Sequence, residues 1–181
     1  GTVCFGSIAI WECSLTILNS RLGVGSNQTW QVTDDLTVTG GALYVGELAE
    51  LRVDGDLTLK HGASMKVFGG SASEHNRNNY GAKVDVSGRL QVETGAWIYP
   101  YSHSTNGSHI LFKAATLVIE EGGGIDADGR GYCRGYGPGV PTDGYNTGGG
   151  GYGGRGGDGD RYVGGLSYGS LAEPFEAGSG S

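Results

Sequence analysis

WQVTDDLTVTGGA, residues Trp30–Ala42, returns three times along the chain. The copies are LRVDGDLTLKHGA (Leu51–Ala63), VDVSGRLQVETGA (Val84–Ala96) and LFKAATLVIEEGG (Leu111–Gly123). The fixed points are Leu36, Leu57, Leu90 and Leu117, spaced by 21, 33 and 27 residues, each followed five residues later by Gly41, Gly62, Gly95 or Gly122. Apolar and polar residues alternate within each copy, which turns one side of an extended chain inward and the other outward. A single copy has nothing to bury its inward side against, so copies must stack, Leu57 on Leu36 and Leu90 on Leu57, with parallel pairing between them. The expected fold is all-β: a single-stranded β-helix, right-handed by default, with a Gly/Tyr-rich C-terminal layer.

The unequal spacings place the extra residues after each corner. FGGSASEHNRNNYGAK (Phe68–Lys83) and PYSHSTNGSH (Pro100–His109) are polar and turn-rich and are expected to be loops. Asp54-Gly55 and Ser87-Gly88 fall between the two apolar pairs of the middle copies, where a turn or bulge is expected.

Three regions follow: residues 1–29, N-terminal strands acting as a cap or inter-subunit segment; residues 30–127, the repeats; and residues 128–181, rich in Gly and Tyr. The stretch Gly1–Ser20 is too apolar for a free tail. Ile8, Ile10, Trp11, Leu15 and Ile17 are candidates either for the first coil or for a strand donated to a neighbouring subunit. Cys4 and Cys13 are placed to close a small loop as a disulfide, which leaves Cys133 over; the competing reading makes Cys4 and Cys133 buried hydrophobes or partners of other segments.

With 38 glycines in 181 residues the chain is not helical, and 37% hydrophobic residues with 10 tyrosines argue against simple disorder. A net charge of -7 without a Lys/Arg cluster excludes nucleic acid as an expected partner. Nor does any stretch reach the roughly 20 apolar residues of a membrane span. Asn27-Gln28-Thr29 and Asn106-Gly107-Ser108 are N-glycosylation acceptors, so Asn27 and Asn106 are candidate glycan sites.

The catalytic and metal candidates are weak. Asp126, Asp128, Asp158 and Asp160 offer oxygens to Ca²⁺ but lack an EF-hand pattern, and the four histidines lack ligand spacing. No metal or cofactor is expected. Outward Arg52, Asp54, Lys60, Lys66, Asp85, Arg89 and Glu93 include no paired-carboxylate motif, and no enzymatic activity is expected. Trp97, Tyr99 and Tyr101 are candidates for stacking on sugar rings, or for packing under the neighbouring loop.

In the C-terminal third, GGGGYGGRGG (Gly148–Gly157) is followed by YGSLAEP (Tyr168–Pro174) and GSG (Gly178–Gly180). This series resembles a module of large eukaryotic cell-surface proteins, including the mastigoneme (flagellar hair) proteins of algae and related protists and plant glycine-rich extracellular proteins. The chain departs from that pattern at Tyr152, where His is usual, and in being far shorter. The resemblance implies an extracellular, glycosylated, fibre-forming or surface-coating protein. The expected function is therefore a structural subunit that assembles with like subunits into a filament or cell-surface appendage. The alternative is a carbohydrate-binding or carbohydrate-cleaving β-helix.

Overall fold

The computed structural model describes residues 2–5, 8–10, 14–71, 80–141, 148–160, 163–170, 172 and 176–180, with backbone alone for 2–5 and 8–10. Among these residues every regular element is a strand, and no helix occurs. The strands come in repeating units. The first holds β1 (Thr2–Phe5), β2 (Ile8–Ile10) and β3 (Leu15–Leu18). The second holds β4 (Arg21–Val24), β5 (Thr29–Val32) and β6 (Leu36–Thr39). The third holds β7 (Ala42–Val45), β8 (Glu50–Val53) and β9 (Leu57–Lys60). Next come β10 (Ser64–Phe68) with β11 (Tyr80–Val92), then β12 (Trp97–Tyr101) with β13 (His109–Ile119), and finally β14 (Gly124–Ile125).

Every strand pairs with its counterpart in the adjacent unit, and all of these pairings are parallel. One sheet runs β1-β4-β7-β10-β12-β14; the other runs β2-β5-β8-β11-β9-β6-β3, with β13 on β11. β11 and β13 each span what are two separate strands in earlier units. Such in-register parallel sheets are compatible with the expected solenoid. The strand after each corner glycine (β7, β10 and β12) was not separately legible in the repeat, because the shared pattern stops at Gly-Ala.

The apolar positions stack in columns. Leu15, Leu36, Leu57, Leu90 and Leu117 are successive partners, as are Ile17, Val38, Leu59, Val92 and Ile119. Leu36, Val38, Leu57, Leu59 and Val92 are completely buried. The β-branched and Leu-rich strands of a parallel sheet pack against the same residue type above and below, so each unit supplies the core of its neighbours. The fourth copy carries a one-residue correction. Val84 pairs with Phe112 rather than Leu111, and the register shifts between Val86 and Arg89 because the fourth copy is shorter there.

Glycines at the Asp-Gly and Ser-Gly sites have a reason beyond chain turning. Asp35 Oδ1 accepts the Asp56 N–H at 2.7 Å, and Asp56 Oδ1 accepts the Arg89 N–H at 2.7 Å. The carboxylate of each unit thus reaches into the next, and a Cβ on Gly55 or Gly88 would overlap it. At the second corner Gly95 and Gly122 have φ of 78° and 80°, left-handed values that a Cβ disfavours.

The C-terminal region is ordered differently. Three glycine segments hydrogen-bond in a closed ring: Gly149 N–H donates to Gly157 O (2.8 Å), Gly156 N–H to Gly165 O (2.9 Å), and Gly165 N–H to Gly149 O (3.0 Å). Gly151 N–H adds Gly139 O at 2.8 Å. A Cβ on Gly149 would sit 3.1 Å from Gly157 N, so backbones touch where other proteins interpose side chains. Tyrosines seal the bundle. The Tyr152 and Tyr168 rings meet edge to face at 5.1 Å, the Tyr168 hydroxyl donates to Ala177 O, and Ser179 Oγ donates to Tyr168 at 3.0 Å.

Burial pushes the Tyr132, Tyr152 and Tyr168 hydroxyls above their ordinary value of 10.0, and the Glu176 carboxylate adds in the same direction. Folding therefore favours their neutral form. That contribution is present below pH 10 and is lost as pH rises through the folded values. A spectrophotometric titration is expected to show these three tyrosines ionising above the ordinary value of 10.0, together with loosening of the glycine region. Leu57→Ala is expected to cost about 3 kcal/mol in urea unfolding, against less than about 1 kcal/mol for Leu117→Ala, which is half exposed.

Candidate functional site

The columns that bury Leu57 and Leu59 end in the open. Leu117 is 51% exposed, Ile119 43% and Ile125 40%, whereas their column partners Leu90, Val92 and Ile98 are at most 2% exposed. β13 pairs with β11 and β14 with β12, and among the described residues no strand lies on their other side. The last unit therefore presents an apolar stripe beside unpaired backbone donors and acceptors, the combination that makes a sheet edge adhesive. Burying the rest of each of these side chains would contribute about 1 kcal/mol, given roughly 1.5–3 kcal/mol for complete burial.

At the other end, the candidate assembly residues sort by depth. Ile8 and Ile10 lie in β2, in register with Trp30 and Val32. Leu15 is half-buried, Ile17 is buried in the chain's own core, and the exposed neighbour is Leu18 at 61%. Trp11 and Cys13 lie outside the described residues, so the Cys4–Cys13 pairing does too. Cys133 is free and exposed.

A second cluster occupies the outer face of the first sheet. Tyr44, Lys66 and Tyr99 are successive partners on β7, β10 and β12, and Phe68 partners Tyr101. The Lys66 ammonium lies 5.7 Å from the Tyr44 ring centroid, and the Phe68 and Tyr101 rings stack at 4.9 Å. Arg130 crosses above, its guanidinium 4.8 Å from the Tyr99 ring and 5.0 Å from the Tyr101 ring. Asp126 holds Arg130 there at 3.0 Å. Trp97 lies against Gly124, where a Cβ would approach the indole to 2.6 Å. Tyr99 and Tyr101 are thus packed under the following segment, while Trp97 stays 37% exposed.

Comparison with protein-family models gives no match, and comparisons with curated proteins and with solved structures give none.

The two glycan candidates differ in access. Asn27 is exposed, in the left-handed conformation (φ 58°) that Asn tolerates, and its sequon partner Thr29 is exposed. Asn106 donates through Nδ2 to Ser71 Oγ at 2.6 Å, and Ser108 is completely buried. Gly107 bridges to Ser71, so the two insertions meet here.

Of the calcium candidates, Asp126 is occupied by Arg130, and Asp158 accepts from Arg155 (2.9 Å) and from the Gly164 N–H (2.8 Å). No group of three or more His, Cys, Asp or Glu with metal-binding geometry occurs among the described residues. Arg130 had no signal in the sequence, because it lies beyond the repeats and acts through two tyrosines about thirty residues earlier. The exposed end was implicit in the repeat but not assignable to residues, since any copy could have been the last.

The sequon geometry generates a direct expectation. An oligosaccharyltransferase offered the folded chain is expected to modify Asn27 and spare Asn106, whereas the denatured chain is open at both, as read by peptide mass mapping. Modification of Asn106 in the folded chain would contradict this placement.

Proposed function

We propose that the chain is an extracellular structural subunit, wound as a single-stranded, right-handed β-solenoid, that assembles with like subunits into a glycosylated filament or cell-surface appendage. The observation that carries the reading is the open last unit, where Leu117, Ile119 and Ile125 are 40–51% exposed while their partners in the preceding unit, Leu90, Val92 and Ile98, are buried. The first unit supplies the other side of the joint: β3 has no strand on its outer side among the described residues and Leu18 is 61% exposed, whereas Ile17 is already buried in the chain's own core. A contact between two different ends propagates as a filament when its rotation does not close a ring, as in stacking along the axis of the columns.

The resemblance of the glycine-rich series to mastigoneme and plant cell-surface modules supports the extracellular setting, as do the two sequons. Among the described residues no helix is long and apolar enough to cross a membrane. The reading assigns the chain no catalytic chemistry.

Electron microscopy of the native protein, with intact mass on the same sample, tests it. Filaments with a regular axial repeat and a mass above the 18.6 kDa polypeptide are expected. The double variant Leu117→Lys, Ile119→Lys is expected to stay folded and monomeric. Monodisperse native monomers at the bare polypeptide mass would contradict the reading.

A further inference from the structure

We propose that the outer face of the first sheet binds an acidic polysaccharide, its sugar rings lying on Trp97 and Tyr44 and its carboxylates meeting Lys66 and Arg21. This goes beyond the assembly reading and is independent of it: the face lies along the side of the stack, not at its end.

The argument starts from charge. The chain carries 19 acidic and 12 basic side chains, yet the outward positions of β4, β7, β10 and β12 contain no carboxylate. They read Arg21 and Gly23, then Ala42 and Tyr44, then Ser64, Lys66 and Phe68, then Trp97, Tyr99 and Tyr101, by alternation with the buried Leu43, Val45, Met65, Val67 and Ile98. The Asp126 carboxylate at the end of the face is already taken by Arg130. The second sheet, by contrast, carries carboxylates among its outward cations, Glu50 pairing with Arg52 and Asp85 with Lys113 in ion pairs of about 3 Å. A cationic face without carboxylates on a chain of net charge -7 selects an anionic partner.

The aromatic residues specify the kind of anion. Trp97 is partly exposed and lies over Gly124, which has no side chain to lift the indole off the sheet. Ala42 and Ser64 precede Trp97 in the same row, leaving a shallow track bordered by Tyr44 and Lys66 in the next. Strands about 4.8 Å apart repeat this row on a scale that matches successive sugar units. Flat aromatic surface bordered by a few charged groups is what a pyranose chain bearing carboxylates requires. Lys66 has no carboxylate partner among the described residues, so its ammonium is available for a charge-assisted hydrogen bond.

Binding of the full chain to polygalacturonate in calcium-free buffer tests the proposal, with hydroxyethylcellulose and oligothymidylate as competing probes. Polygalacturonate is expected to bind, less tightly as ionic strength rises. Lys66→Ala and Trp97→Ala should each weaken binding by about tenfold, while Lys113→Ala on the other sheet should leave it unchanged. Thermal unfolding checks that the variants are folded, and Lys66→Ala stands as the test if Trp97→Ala does not fold. Absence of binding to polygalacturonate, full binding by Lys66→Ala, or equal or tighter binding of the neutral polymer or the oligonucleotide would overturn the proposal.

Discussion

Everything in this chain depends on one constraint: a strand unit whose inward side chains have no core of their own must borrow one from the units above and below. The columns Leu36, Leu57, Leu90 and Val38, Leu59, Val92 satisfy it by placing like on like in parallel register. Parallel pairing follows from the same constraint, because successive copies run in one direction and meet through equivalent residues. The consequence at the end of the stack is equally direct. Leu117 and Ile119 have the same chemistry as the residues they continue, but nothing lies beyond them among the described residues.

That logic was largely legible in the sequence, and its limits are physical. The Leu-to-Gly repeat carries the columns, so parallel stacking could be read from four copies. The first strand of each unit could not, because Leu43, Met65 and Ile98 share only an alternation, without a fixed residue. The offset at Leu111 shows the same weakness: apolar residues at 111 and 112 offer two partners for Val84, and the sheet pairs it with Phe112, a register shift before Arg89 then bringing Leu90 over Leu117. Asp-Gly and Ser-Gly point to turns at Gly55 and Gly88, but not to the carboxylates of Asp35 and Asp56, which occupy the space a side chain there would need. Sequence spacing does not reveal a contact between side chain and backbone made one unit away.

The glycine-rich region solves the burial problem by the opposite route. Where the repeats remove side chains from water, Gly149, Gly156 and Gly165 remove backbone, joining through N–H···O bonds at distances that a side chain would prevent. Tyrosines then close the surface through ring contacts and hydroxyls. Arg130 stands between the two regimes, its guanidinium over Tyr99 and Tyr101 on the first sheet and its carbonyl accepting the Ser102 N–H at 2.8 Å. One chain thus joins a core of stacked aliphatics to a bundle of stacked peptides.

The central claim is that the last unit is an unfinished layer which another copy completes. Backbone amide hydrogen exchange across β13 and β14, followed as protein concentration is raised, tests it most directly. The account predicts that amides from Thr116 to Ile119 and at Gly124 and Ile125 start less protected than those of β9 and gain protection as concentration rises. Protection at β13 and β14 that is independent of concentration would contradict it.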